Sequence, residues 1–251
     1  MAGRRIWTWE ETLQAFLLYM VLPKNELDDK GAEVMALADR LDRTANSVAL
    51  KIWNIAAYDE NRVARGRVGM KHGSKLDAQV WEVFKERGDD LLDEALELFG
   101  DEALSSIDKK LPASDGSVTR AQGETREAVT RVRVGQGYFR NSLIDSYGQR
   151  CCITGIALPE LLVASHIKPW KVSDAHEKVD SRNGLLLNAL HDKAFDKGLI
   201  TLDSEYRIRV STRGRSEALL ARYDKQRISL PTFALPGKAY IEYHSDVIFQ
   251  H

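Results

Sequence analysis

Four short groups of residues between Gln149 and Leu199 have the types and spacing for chemistry on a phosphate. They are His166, set behind the apolar run Leu161 to Ala164 and Ser165; Asn183 with Gly184; His191 with Asp192; and Phe195 with Asp196. Histidine suits a base near neutral pH, because its ordinary pKa of about 6.5 leaves much of it uncharged. Carboxylate, imidazole and amide oxygen are donors for a divalent ion; oxygen favours magnesium or manganese, and imidazole widens the choice to zinc or nickel. Cutting a phosphodiester needs a base to deprotonate water and a cation to neutralise charge on the phosphate and the departing 3′ oxygen.

The elements that must position these groups are legible around them. The run Leu161 to Ala164 suits a buried strand, although periodicity alone does not separate it from a helix turn. It is stopped at Pro169, which has no backbone donor for a ladder. Asn188 to Lys197 contains no Pro or Gly and ends at Gly198, a helix terminator. On that helix Asp192 and Asp196 share a face, whereas His191 is rotated by about 100° from Asp192.

The order of these residues, with Cys152-Ile153-Thr154-Gly155 before them and Gly198-Leu199-Ile200 after them, resembles the HNH nuclease family. The lead-in Gln136 and Phe139-Arg140, and the Pro-rich tail closing on Tyr240, Tyr243 and His244, are also similar to a branch of it. The resemblance implies two antiparallel strands and a helix closed over one divalent metal. It makes His166 the general base and Asn183 the residue that ties the loop between strand and helix. The third catalytic position falls on Asp192, nine residues after Asn183, or on His191 just before it; both are ligand candidates. Ser165 stands where many members carry a metal ligand, and Asp196 is the residue that would compensate. Singly, each has a plainer reading: a hydrogen-bonded core histidine, an Asn-Gly turn, a core aromatic beside a surface charge. Their joint order is what points to a nuclease.

The chain of 251 residues is long enough for one or two domains with a real core. Hydrophobic residues at 43% and charged residues at 29% describe an ordinary soluble globular protein, expected in the cytoplasm. A formal charge of -1 gives no global basic signature, so nucleic-acid contact would use local patches. No apolar run is long enough for a membrane span, and the start lacks a signal-peptide core. Cys151 and Cys152 are adjacent and cannot form paired CxxC sites, so no disulfide and no structural zinc are expected, and Cys152 reads as a small buried residue.

Residues 1–100 read as helical. Thr8 with Glu11 fits a capping box ahead of Leu13, Phe16, Leu17, Met20 and Val21, and Pro23 ends that helix. Val34, Leu37, Ala38 and Leu41 mark a second helix, Asp42-Arg43 a turn, and Thr44 the cap of a third carrying Val48, Ile52 and Ile55. This resembles a Myb-type or helix-turn-helix module, which would aim Arg43, Asn46, Ser47 and Lys51 at phosphates or base edges. A docking or purely structural bundle is the competing reading. The loop from Asp59 to Lys75 is basic through Arg62, Arg65, Arg67, Lys71, His72 and Lys75, which suits a phosphate backbone or a solvated surface. Residues 77–99 return to a helical pattern, and residues 101–125 are the best linker. Val129 to Val134 alternate like a strand, a helix follows from Tyr138, and Arg131, Arg133 and Arg140 are candidates for phosphate contacts. Leu199 to Leu202 and Tyr206 to Val210 read as two strands joined at Asp203-Ser204. His244 is either a phosphate ligand or, more plainly, structural.

The expectation is therefore an α+β protein with a helical domain (1–100), a linker (101–125) and a C-terminal HNH (ββα-metal) nuclease domain (126–251). The function implied is a metal-dependent DNA endonuclease or nickase of the restriction or phage-defence type, similar to the HNH nuclease of Zorya defence systems. The partners implied are double-stranded DNA, a second copy where both strands are cut, and defence-system proteins. The alternative is a non-catalytic DNA-binding or partner-docking protein on a decayed HNH scaffold.

Overall fold

The computed structural model describes residues 5–63, 73–110 and 126–251. Arg65, Arg67, Lys71 and His72 of the basic loop and residues 111–125 of the expected linker lie outside the described residues, as do the side chains of Arg62 and of residues 101–110 and 126–129. The chain divides into two compact units, Met1–Tyr138 and Phe139–His251.

The described part of the first unit is helical: α1 (Trp9–Val21), α2 (Ala32–Arg40), α3 (Ala45–Ala56), α4 (Glu60–Val63), α5 (Lys75–Arg87), α6 (Asp89–Lys110) and the first part of α7 (Arg126–Ser146). Thr8 and Glu11 form the capping box of α1, and the Thr44 hydroxyl accepts from Ser47 N–H at the head of α3. Each satisfies a backbone donor that the first helical turn leaves open. Every residue of α1 from Glu11 to Val21 is buried, so this helix is the hub rather than a surface element. Phe16 meets Trp81 and Phe84 edge to face at 5.1 and 5.4 Å. Asp59, 2% exposed, accepts from the hydroxyls of Tyr19 and Tyr138, the latter at 2.7 Å. The single helical stretch expected over 77–99 is two helices, because Gly88 at φ 37° breaks α5 from α6. Helix α6 is broken by a kink at Gly100 (φ 71°, ψ 163°), and the helical stretch beyond the kink reaches Lys110, over the first ten residues of the expected linker.

The strand expected over 129–134 is instead part of α7. Thr130, Val134 and Tyr138 are buried at four-residue spacing, as are Phe139, Leu143 and Tyr147. Both stripes have the helical period, and it is the longer stretch, not the six alternating residues, that sets it.

The second unit contains the end of α7, β1 (Leu162–His166), α8 (Ala175–Val179), β2 (Gly184–Asn188), α9 (Ala189–Asp196), β3 (Ile200–Leu202), β4 (Ile208–Val210), α10 (Ala218–Ala221) and α11 (Lys238–Tyr243). Strands β1 and β2 pair antiparallel with Leu162 opposite Asn188 and His166 opposite Gly184. Helix α9 packs on both. Strands β3 and β4 form a second antiparallel pair, joined by a turn in which the Asp203 carboxylate accepts from Glu205 and Arg207 N–H. Its core gathers Phe139, Leu143, Leu185, Leu186, Leu187 and Phe195.

Gly184 is not a turn residue. Its backbone is extended at φ -143° and ψ 152°, and a Cβ there would stand 2.6 Å from Phe139 Cζ and from Leu143 Cδ1. The glycine admits α7 against the strand pair. Gly184→Ala is therefore expected to cost about 1–3 kcal/mol through overpacking, read as a lower urea midpoint; an unchanged midpoint would mean that α7 yields freely at this contact.

Candidate functional site

The site grows from the connection between β1 and β2. The ladder ends with Ile167 N–H donating to Asn183 C=O at 2.9 Å, so residues 168–182 leave and return at one point. Asn183 is 0% exposed. Its Oδ1 accepts from Lys168 N–H at 2.7 Å, and its Nδ2 donates to the carbonyls of Lys168 and Glu177 at 3.2 and 3.0 Å. One buried amide thus ties three backbone groups of the loop, two on Lys168 and one on Glu177. Lys168 Nζ lies 2.7 and 2.6 Å from the Glu177 carboxylate oxygens, and Glu177 also completes the capping box of α8 with Asp174.

That folded loop presents the Lys178 carbonyl to His166, whose Nε2 lies 2.9 Å from it. A carbonyl can only accept, so Nε2 carries the proton and the lone pair of the neutral ring is on Nδ1. Phe139 stacks on the imidazole at 3.7 Å and 13°, and Trp170 meets it edge-on at 5.4 Å. The ring of His166 is held in tautomer, plane and position at the end of a strand.

The second part of the site is the first turn of α9. Asn188 caps the helix: its Oδ1 accepts from Leu190 and His191 N–H at 3.1 and 3.0 Å, and its Nδ2 donates to Thr154 Oγ1 at 3.1 Å. The same Oδ1 accepts from His191 Nδ1 at 3.0 Å. The proton is then on Nδ1 and Nε2 is left as a bare acceptor, buried and without a protein partner. Burial holds this imidazole below its ordinary pKa, which keeps it neutral and able to ligate. Among the described residues of the second unit, the two buried side-chain polar atoms with no partner are His191 Nε2 and Ser165 Oγ. Buried polar atoms are ordinarily satisfied. The two that are not, one near the end of β1 and one in the first turn of α9, both lie at candidate motif positions.

The helix rotation gives His191 and Asp192 different surroundings. His191 is 2% exposed, whereas Asp192 is half-buried and Asp196 is exposed. His191, Asp192 and Asp196 are accordingly not gathered into one cage, and among the described residues no three His, Cys, Asp or Glu side chains stand together as a metal-binding group. Cys151 and Cys152 are free thiols in the core, and burial pushes the Cys152 thiol well up, which makes it unreactive.

His244 is structural rather than a surface phosphate ligand. It is 2% exposed, stacks on Phe195 at 3.7 Å, donates from Nε2 to the Phe195 carbonyl at 3.1 Å and accepts at Nδ1 from the Thr201 hydroxyl at 2.8 Å. Gln250 donates from its side chain to Lys197 C=O at 2.8 Å and from its backbone to Gly198 C=O at 2.9 Å. The tail of the chain therefore satisfies the carbonyls that the end of α9 leaves open.

Several side chains expected to reach phosphate are engaged within their own unit. The Arg43 side chain is 6% exposed; it pairs with Glu11 at 2.7 Å, donates to Ile6 C=O at 2.9 Å and covers Trp7 at 4.0 Å. The Lys51 side chain is 2% exposed and is paired with Asp77. Their partners precede α1, lie in its first turn or lie in α5, distant in sequence, which a local helix-turn-helix pattern does not contain. Arg131 pairs with Asp93, and Arg140 donates to Leu162 C=O at 2.7 Å. Asn46 is exposed and Ser47 half-buried on the first turn of α3, and Arg133 is half-buried on α7. Sequence reasoning missed Phe139 as the platform under His166, the Lys178 carbonyl, and Asn188. Of these, only Asn188 carries a readable signal, an Asn immediately before a helical run.

Burial lowers the His244 pKa from 6.5 to about 4. Its folded form binds the proton less readily than its unfolded form, so the stability it supplies is complete above pH 6.5 and is lost as pH falls from 6.5 towards 4. The loss amounts to about 3 kcal/mol. Urea midpoints measured between pH 7 and pH 4 should fall more steeply for the native chain than for His244→Gln; parallel profiles would show that the ring does not resist protonation.

A search of curated proteins finds no match to this chain. The family of HNH endonucleases matches residues 151–203, a segment that runs from the Cys151-Cys152 turn through β1, β2 and α9 and past β3. Within the second unit, residues 151–203 are thus similar to an HNH endonuclease domain.

Proposed function

We propose that this protein is a metal-dependent DNA endonuclease or nickase whose general base is His166. The observation that carries the reading is the fixed imidazole at the end of β1: Lys178 C=O holds Nε2–H, Phe139 and Trp170 hold the plane, and Nδ1 is the nitrogen that takes a proton from water. Asn183 acts by folding the loop that supplies the carbonyl, not by touching substrate. His191 Nε2 fits a divalent ion, being neutral, buried and without a protein partner. Asp192 and Asp196 are the carboxylates proposed with it; because the structure does not gather them with His191 Nε2, they would reach a magnesium- or manganese-like ion through water, with phosphate oxygens completing its shell. When bound, the ion supplies charge neutralisation at the phosphate and at the departing 3′ oxygen.

The substrate inferred is double-stranded DNA. One site of this kind cuts one strand, so a double-strand break would require a second copy or a second encounter. The setting we infer, bacterial defence against phage or foreign DNA with partner proteins of such a system, is supported by the resemblance of the motif order to nucleases of that type. No helix among the described residues is long and apolar enough to cross a membrane.

Supercoiled plasmid should be nicked in the presence of magnesium or manganese, with zinc and nickel as comparison metals, and nicking should stop with excess chelator. His166→Ala should lower the nicking rate by about 10²- to 10⁴-fold while DNA affinity is nearly unchanged. A His166→Ala protein that melts like the native chain and nicks at its rate would remove this residue from the mechanism; no nicking with any of the four metals would leave a DNA-binding scaffold.

A further inference from the structure

Cys152-Ile153-Thr154-Gly155 stand at the head of the motif order, and they take no part in the chemistry proposed for His166 and His191. Their place in the fold is specific. Gly155 N–H donates to Cys151 C=O at 2.8 Å and Cys151 N–H to Ile156 C=O at 2.9 Å, which closes the segment into a tight turn, and Gly155 takes the left-handed φ of 75° that this closure requires. Cys152 seats the turn: its side chain is buried in the core, and its N–H donates to Leu186 C=O at 2.8 Å, two residues before the end of β2. The turn is thereby fixed on the strand that leads into α9. The half-buried Thr154 presents its hydroxyl oxygen there, 3.1 Å from Asn188 Nδ2, and Ile156 N–H reaches the same oxygen at 3.4 Å.

The load on the Asn188 amide explains why it needs that partner. Its Oδ1 meets three donors, Leu190 N–H, His191 N–H and His191 Nδ1–H, at 3.1, 3.0 and 3.0 Å, whereas a carbonyl oxygen has two lone pairs. An N-cap oxygen accepts from the backbone of the first turn by its place in the helix. The imidazole donor lies outside that pattern, so a rotation of the amide costs this bond first. On the far side of the ring nothing replaces it: His191 Nε2 is buried and has no partner among the described residues, and Tyr223 meets the ring edge-on at 5.1 Å, which fixes its plane but not its proton. The tautomer of His191 is therefore set from the Nδ1 side, by an amide whose other end rests on Thr154.

We propose that Thr154 is a positioning residue of the nuclease site: by holding Asn188 Nδ2 it keeps the proton of His191 on Nδ1 and the lone pair on Nε2, where a divalent ion would be ligated. The purpose of this arrangement rests on the reading of His191 as a ligand. The partner behind a ligating imidazole ordinarily fixes which nitrogen is free for the metal. Here that partner is the neutral Asn188 amide, which is itself held by a hydroxyl, so the turn before β1 has a task in the site that burial of Cys152 alone would not require.

The test reads the tautomer by nitrogen magnetic resonance in the metal-free full chain, labelled with ¹⁵N histidine, above the ordinary imidazole pKa of about 6.5. The His191 signals are assigned by their loss in His191→Gln. The native chain is expected to show a protonated Nδ1 and a bare Nε2. Thr154→Val, which keeps the volume and removes the hydroxyl, should move His191 to a mixture with the Nε2–H form, as should Thr154→Ala, whereas Thr154→Ser should restore the native signals. His166, whose proton is held by Lys178 C=O, should be unchanged in all three and so reports that the second unit is folded. Manganese affinity, read from water-proton relaxation, should fall about 10- to 100-fold in Thr154→Val, the cost of removing a partner behind a ligand, and stay near native in Thr154→Ser. A native tautomer in folded Thr154→Val and Thr154→Ala, or a native chain with the His191 proton on Nε2, would overturn the proposal. The expected tautomer pattern in a native chain that binds no manganese would support the positioning by Thr154 and overturn the ligand reading instead.

Discussion

The second unit depends on the amide of Asn183. A loop of this length between two strands has many ways to close, and its backbone groups need partners once it is folded down. One fully buried side chain meets that need at Lys168 and Glu177 together. Without it the Lys178 carbonyl has no defined place, and the tautomer of His166 has nothing to set it. A fully buried residue therefore governs which nitrogen of His166 keeps its lone pair. Asn suits the task because it offers an acceptor and two donors without charge, so its burial carries no ionic desolvation cost.

Helix α9 shows the same economy in a different form. At only eight residues it is too short to be stable by itself. Asn188 satisfies its first N–H groups, and His244 and Gln250 satisfy its last carbonyls. The cap also orients a side chain, since Asn188 Oδ1 that caps the helix is the acceptor for His191 Nδ1 and leaves Nε2 as a bare lone pair. Helix capping and the orientation of the His191 imidazole are one interaction here, so neither can be changed independently.

In the first unit the ordering principle is charge pairing in the interior. Glu11, Arg43, Lys51 and Asp77 are all withdrawn from water, and each is tolerable only beside its partner. Glu11 illustrates how many tasks one carboxylate can combine, since it closes the capping box of α1 and neutralises Arg43. This is why the basic residues at the head of α3 do not form an open phosphate-binding face, although their spacing on the helix would allow one.

What the sequence by itself determined is local. Caps at Thr8 and Thr44, the strand ending at His166, the helix from Asn188 to the Gly198 stop, and the pair of strands after it all follow from chemistry between residues a few positions apart, and the motif order was enough to point to an HNH domain. The strand expected over 129–134 fails for a related reason: a window of six residues cannot tell alternation from a helical stripe when the buried partners lie at Tyr138 and Leu143. Tertiary structure alone decided the rest. It placed Phe139 under His166, closed space at Gly184, buried Lys51 against Asp77, and sent His191 inward while Asp192 turned out. Each of these is a contact across a long stretch of chain, and its energy comes from removing groups from water, a quantity that depends on which surfaces meet and that no local pattern contains.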